Sequence, residues 1–324
     1  MPRRDRLHRS ELTVPGSNVR MLEKAPKSGA DVVLLDLEDA VAPDAKEQAR
    51  RNVIDALGSL DWSRCSVAVR INALDTRWCF RDVIEVVGEA GEHVDFLVVP
   101  KVGSAADLHF VAVLLAQVEA ERGLAPLGLS ALIETAAGLA NVEEIASACP
   151  ERLEALVFGV ADYAASTRAR TTVIGGASPD YAVLTDSRDG ERRARHWGDQ
   201  WHYPLSRILV ACRAAELRAI DGPYGDVRDP AGYVAAARRA AALGYDGKWA
   251  IHPSQVGLAN EVFTPTDSEL AQARRILSAL SEAADEGRGA IALDGRLVDA
   301  ASIRMARQLV SRADQIQARA VAAR

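Results

Sequence analysis

The chain has 324 residues, 48% of them hydrophobic but only 5% aromatic, so Ala, Val and Leu fill the core, which suits helices packed on a parallel sheet better than a β-sandwich. Its 45 acidic and 39 basic residues leave a net charge of −6, which argues against nucleic acid as the main partner. No run approaches the ~18 apolar residues that would span a membrane, and the basic start, MPRRDRLHRS, lacks the apolar stretch of a signal peptide. Cys65, Cys79, Cys149 and Cys212 lie far apart with no Cys-x-x-Cys pair; they are expected to be buried thiols in a reducing cytoplasm.

Short β-branched runs alternate along the chain with stretches of helical period. Strands are predicted at residues 11–14, 32–37, 66–71, 96–99, 129–133, 155–159, 218–220 and 248–251, with helices over 107–121, 141–147 and 233–243 among the intervening segments. Eight strands alternating with helices describe either a closed barrel or an open doubly wound sheet. The strand ends favour the barrel. In order they deliver Pro15-Gly16-Ser17, Glu38-Asp39, Arg70 with Asn72, Lys101, Glu134, Asp162, Asp221 and His252. A barrel gathers all such ends around one mouth, whereas an open sheet uses only those beside its switch point. The predicted fold is α/β, a (β/α)8 TIM barrel over residues 1–260 with a C-terminal helical extension over 261–324. That extension holds a helix-like run at 267–284, a Gly-containing stretch at 285–289, a segment at 294–302 and a last helix. It is too long for a closing helix and is expected to be a lid or an arm for a neighbouring subunit. The most irregular stretch, 171–204 with its charged centre 186–196, is expected to be a long functional or mobile loop.

Glu134 and Asp162 close consecutive apolar strands. Two carboxylates placed so can share one hard cation, with water and substrate oxygens completing an octahedron, and this donor set suits Mg2+. The competing use of each acid is to cap the following helix or to pair with an arginine. Arg70 lies inside a strand, where a guanidinium requires an anionic partner. It can hold a substrate carboxylate or a developing enolate oxygen, or bridge to Glu38 or Asp39, and the two uses are compatible. Of Glu38 and Asp39, one should face the mouth and one turn away, to bond metal waters or orient Arg70. His252 is open to acid–base work or to a structural role, and Lys101 to neutralising an anionic substrate or pairing with a mouth carboxylate. Pro15-Gly16-Ser17 can offer backbone N–H groups to a phosphate, with Arg20, Lys24 and Lys27 adding charge, or simply begin a solvated helix.

Taken together, VPGSNVRMLEKAPKSGADVVLLDLEDAVAPDAK, VRINALDTRW, VPKVGSAADL, IETAAGLANVEEIA, VFGVADYAAS, TTVIGG, DGPYGD, GKWAIHPSQVGLANEVFTP and GRLVDAASI resemble the citrate lyase β-subunit-like CoA-ester lyases of the HpcH/HpaI aldolase superfamily. The malyl-CoA/β-methylmalyl-CoA lyase branch is the most similar, and the stretches run in order from about residue 10 to 305. The resemblance implies a TIM barrel in trimers or hexamers, with Mg2+, or Mn2+ in its place, on Glu134 and Asp162. It implies Arg70 on the substrate, assisted by Glu38 and Asp39. Contacts to the acyl-CoA would fall on Thr13, Ala161, Asp162, Ile251, His252 and Lys24, and an acid–base Asp299 would come from the neighbouring subunit. The implied reaction is reversible cleavage of L-malyl-CoA or β-methylmalyl-CoA to glyoxylate and acetyl-CoA or propionyl-CoA. A malyl-CoA thioesterase, a citramalyl-CoA or citryl-CoA lyase, and a citrate lyase β-type subunit of a complex are the alternatives. Asn18 stands where relatives carry an arginine after the Pro-Gly-Ser turn; Arg20 or the arginines of 186–196 are placed to compensate.

Overall fold

The computed structural model describes residues 6–185, 193–285 and 291–322. Residues 186–192 of the charged stretch and 286–289 of the Gly-containing stretch lie outside the described residues.

The described residues form twelve strands: β1 (Ser10–Pro15), β2 (Val32–Asp36), β3 (Ser66–Arg70), β4 (Phe96–Val99), β5 (Gly128–Ile133), β6 (Leu153–Phe158), β7 (Ala182–Leu184), β8 (Arg195–Trp197), β9 (Arg218–Asp221), β10 (Gly247–Ala250), β11 (Ile291–Leu293) and β12 (Arg296–Val298). Eight of them close a parallel barrel in the order β1-β10-β9-β6-β5-β4-β3-β2. All eight expected strands are in it, with ends shifted by at most two residues. Closure runs through β1, which pairs with β2 on one side and with β10 on the other, where Glu11 faces Trp249.

The barrel strands are largely apolar on both faces because both are covered. Val32, Leu34, Ala68, Phe96, Val98, Leu132, Ala155, Val157, Ile220 and Trp249 meet in one interior cluster. The alternate residues, such as Val33, Leu35, Val69, Leu97 and Val99, are equally buried and by the two-residue period point outward, toward the helices. The helix Ala105–Arg122 shows how the sequence brackets a crossover: Ser104 and Asp107 form a capping box, Leu108, Val111, Leu115 and Val118 are buried, and Gly123 ends it at φ 66°. After β3 the chain makes a π-helical stretch, Asp82–Val87, that no residue pattern had signalled.

Residues 171–204 are not wholly irregular. They contain an antiparallel strand pair in which Ala182, Val183 and Leu184 of β7 face Trp197, His196 and Arg195 of β8; strands of three residues carry too little periodicity to be read from sequence.

The chain separates into two compact units, Met1–Asn260 and Glu261–Arg324. In the second, the helices Asp267–Asp285 and Ala300–Ala322 pack on each other. Between them β11 and β12 form a hairpin whose turn, Asp294-Gly295, has positive φ at both residues (52° and 75°), as a tight two-residue turn requires. No described helix is long and apolar enough to cross a membrane.

Candidate active site at the barrel mouth

Glu134 follows β5 directly and is 2% exposed. One carboxylate oxygen accepts the backbone N–H of Lys101 at 2.7 Å. Lys101 has left-handed backbone, φ 51°, a conformation unusual for a side-chain-bearing residue, and that turn after β4 aims its amide at Glu134. Across the carboxylate lies Gly159, at the end of β6, where a Cβ would stand 2.3 Å from Glu134 Oε2 and 2.4 Å from Glu134 Cβ. Only a glycine leaves room for the side chain. Asp162 projects from the first turn of the helix Val160–Ser166 and is half-buried.

Burial and the neighbouring Asp162 charge push the Glu134 carboxyl up to about 8; burial raises Asp162 as well. Arg70 ends β3 and forks onto Asp36, donating at 2.7 Å from Nε and 2.6 Å from Nη2. Its Nη1 lies 3.0 Å from Glu38 and its guanidinium carbon 5.5 Å from the Trp249 ring centre. Burial works against the charge of Arg70, but Asp36 and Glu38 more than offset it and raise its pKa. The Lys101 ammonium binds Glu38 and sits 3.3 Å from Asp39 and 3.7 Å from Asp162. Here too burial opposes the charge, and Glu38, Asp39 and Asp162 outweigh it, raising the ammonium pKa. The loop carrying Glu38 and Asp39 is pinned by buried Lys46, which donates to the carbonyls of Leu37 at 2.8 Å and Glu38 at 2.6 Å.

These groups surround a cavity of about 350 Å3. Of the residues predicted for the site, Thr13, Asp39, Arg70, Glu134, Ala161, Asp162 and Ile251 line it. The Thr13 hydroxyl has no hydrogen-bond partner among the described residues and is available to a ligand. Glu38 instead turns onto Arg70 and Lys101, so Asp39 is the member of the pair that faces the mouth. His252 is exposed, its Nδ1 2.8 Å from the Ser254 hydroxyl. Asn18, Arg20 and Lys24 lie on the exposed helix Val19–Lys24 and its cap, outside the cavity lining.

Two of the backbone amides at the Pro-Gly-Ser turn are taken up within the chain. Gly16 N donates to Asp36 O at 2.8 Å and Asn18 N to Pro15 O at 3.0 Å, because the turn seats β1 against the end of β2. Asn18 itself caps the helix, accepting from Met21 N at 3.2 Å. Arg20, Lys24 and Lys27 are exposed cations of this edge. Asp299, in the C-terminal unit, caps the helix Ala300–Ala322 by accepting from Ala301 N at 2.9 Å and Ser302 N at 3.1 Å.

Two residues of the site carry signals that the strand-end reading passed over. Asp36 is wholly buried and is the principal partner of Arg70, ahead of the Glu38 and Asp39 expected there; an Asp closing the apolar run VVLLD requires such a partner. Trp249 lines the cavity beneath the guanidinium and reads from sequence only as a core aromatic.

Among the described residues, no group of three or more His, Cys, Asp or Glu forms a closed metal cage. Glu134 and Asp162 offer oxygen donors only, on a carboxylate that burial and repulsion have lifted well above its ordinary value. A hard divalent cation that keeps several water or substrate ligands fits that pair, since its charge removes the repulsion. The packing is open to test through Gly159→Ala. The added methyl overpacks Glu134, for an expected loss of ~1–3 kcal/mol and weaker Mg2+ uptake, read by thermal unfolding with and without the ion. Unchanged melting and unchanged uptake would exclude the close approach of Gly159 to Glu134.

A closed parallel barrel with paired carboxylates, a buried arginine and a cavity at its mouth defines a class of TIM-barrel proteins built for chemistry at the strand ends. The chain belongs to the HpcH/HpaI aldolase/citrate lyase family, whose profile matches residues 9–253. It is 48% identical, over 97% of its length and 96% of the relative, to an L-malyl-CoA/β-methylmalyl-CoA lyase of Cereibacter sphaeroides. A (3S)-malyl-CoA thioesterase of the same species is 36% identical over 96% of both chains. Among solved structures, protein CitE of Mycobacterium tuberculosis in complex with magnesium, acetoacetate and coenzyme A is similar at a TM-score of 0.72 and 31% identity, covering 94% of this chain and 97% of that one.

Proposed function

We propose that the chain is a CoA-ester lyase, dependent on Mg2+ or Mn2+, that reversibly cleaves L-malyl-CoA or β-methylmalyl-CoA to glyoxylate and acetyl-CoA or propionyl-CoA. The observation that carries this reading is the convergence of Arg70, Glu134 and Asp162 on one cavity, in a chain so similar throughout its length to lyases of that specificity. Glu134 and Asp162 would hold the cation, which when bound would supply Lewis acidity to the oxygens of the acyl group. The carbon–carbon bond breaks as the hydroxyl loses its proton, with Asp39 at the cavity wall as a carboxylate able to accept it. The electron pair passes into the thioester, where Arg70 holds the oxygen on which charge develops. Asp299 returns a proton to the acetyl-CoA carbon, or removes it in the synthetic direction. Thr13, Ala161, Ile251 and His252 contact the acyl-CoA near the mouth, and Arg20, Asn18 and Lys24 receive its phosphates. The protein works as a trimer or hexamer in which Asp299 belongs to the neighbouring subunit's site.

Purified protein incubated with malyl-CoA and Mg2+ should release glyoxylate and acetyl-CoA in equal amounts. The similar thioesterase makes hydrolysis the second reading; free CoA formed without glyoxylate would establish it instead. Asp299→Ala is expected to bind the CoA ester yet to exchange acetyl-CoA methyl protons with solvent at least ~100-fold more slowly. Glu134→Ala and Asp299→Ala subunits, each inactive alone, should regain activity when co-assembled. No recovery in verified mixed oligomers would place Asp299 outside the partner's site.

A further inference from the structure

Among the polar groups buried in the barrel beneath the mouth is a carboxylate on β1. Glu11 of β1 is 1% exposed and His8, just before that strand, is 2% exposed. Glu11 Oε1 lies 2.7 Å from His8 Nδ1, and its other oxygen accepts the Trp249 indole N–H at 2.8 Å. The same indole lines the cavity and carries the Arg70 guanidinium 5.5 Å from its ring centre. A buried carboxylate here does nothing for packing that a leucine would not do better, since its desolvation must be offset by both of its bonds. What it does supply is direction. An indole ring in a cluster of Val, Leu and Ala has no polar group to choose its rotation, and the Glu11 bond chooses one.

We infer that Glu11 is a positioning residue for the lyase reaction: through the Trp249 N–H it fixes the aromatic shelf on which Arg70 lies, and so the place of the guanidinium in the cavity. The inference rests on the proposed role of Arg70 at the thioester oxygen. Asp36 holds the guanidinium from the side through its two hydrogen bonds, while Trp249 sets its height over the cavity floor. Glu11 is not itself a lining residue of the cavity and reaches it only through the Trp249 N–H, so its loss should act on turnover rather than on binding. A shift of the arginine of about 1 Å is enough to slow a reaction by ~100-fold.

The test is kinetic and spectroscopic, on the full-length protein with malyl-CoA and Mg2+. Glu11→Leu should lower kcat tenfold or more while KM moves less than threefold, and Glu11→Gln, which can still accept the indole N–H, should recover most of the loss. Trp249→Phe keeps a ring under Arg70 but lacks the N–H; it should lower kcat to a similar degree, and adding Glu11→Leu to it should change kcat by less than twofold. Equal effects of Glu11→Leu in both backgrounds, or a Glu11→Gln variant as slow as Glu11→Leu, would overturn the inference. If Glu11→Leu does not fold, Trp249→Phe alone decides it: kcat within twofold of the unmodified protein rejects the role. The indole N–H resonance of Trp249, shifted in Glu11→Gln and independent of turnover, tests the hydrogen bond even if malyl-CoA proves not to be the substrate. Failure of the unmodified protein to cleave malyl-CoA would count against the proposed function only, whereas an unmoved resonance would count against the Glu11 bond.

Discussion

Glu134→Gln and Asp162→Asn should each lower malyl-CoA cleavage by roughly 10³-fold or more, because each removes a charged oxygen from the pair proposed to hold the cation, and a bound cation contributes several kcal/mol to such a transition state. Glu134 also sets a pH signature. Its carboxyl titrates near 8 in the folded chain, against an ordinary value of 4.5, so between those values the folded protein keeps a proton that the unfolded chain has released. The stability this confers on the cation-free protein is present in full below pH ~4.5 and is lost as pH rises through ~8. Cation uptake requires the carboxylate, so it should release close to one proton per Mg2+ near pH 6.5 and almost none above pH ~9. Calorimetric titration in buffers of different ionisation enthalpy reads that proton directly. Asp162→Asn, by removing the repelling charge, should shift the release toward lower pH. A proton count that stays flat from pH 6 to 9 would sink the assignment of Glu134 as the titrating ligand.

How far the sequence reveals this site depends on the range of the interactions that build it. The barrel is legible because each strand is a short apolar run ending in a polar residue, a local pattern repeated eight times. Glu134, Asp162 and Arg70 stand at those ends and are visible for the same reason. Asp36 is less visible because its role exists only in relation to Arg70, which lies 34 residues away and meets it where β2 and β3 register Asp36 beside Arg70. Gly159 looks like any strand-end glycine until the Glu134 side chain is laid across it. The Pro-Gly-Ser turn is less open than it reads for a related reason: the amide of its glycine is taken up by Asp36 O at the end of β2, and that of Asn18 by Pro15 O within the turn. Asp299 is local again. Its helix cap is readable from Asp-Ala-Ala-Ser, while the service to a second subunit proposed for it comes only from family resemblance.

Arg70→Lys tests the other half of the site with an effect of comparable size. A lysine restores the charge but not the fork, and Asp36, buried and gripped through both oxygens at 2.6 and 2.7 Å, would face a single ammonium without the planar group that lies over Trp249. The expected fall in kcat is ~10²–10³-fold, the range found when one preorganised donor to a developing oxyanion is removed. Arg70→Ala should in addition unbalance Asp36 and Glu38, two carboxylates with no more than 5% exposure, and destabilise the fold by ~3–5 kcal/mol. The two losses separate experimentally, since Asp36→Asn in the Arg70→Ala background removes one stranded charge and should restore part of the melting temperature without restoring turnover. Full activity in Arg70→Lys would mean that charge alone suffices at that position, and the oriented guanidinium would then have no part in the chemistry.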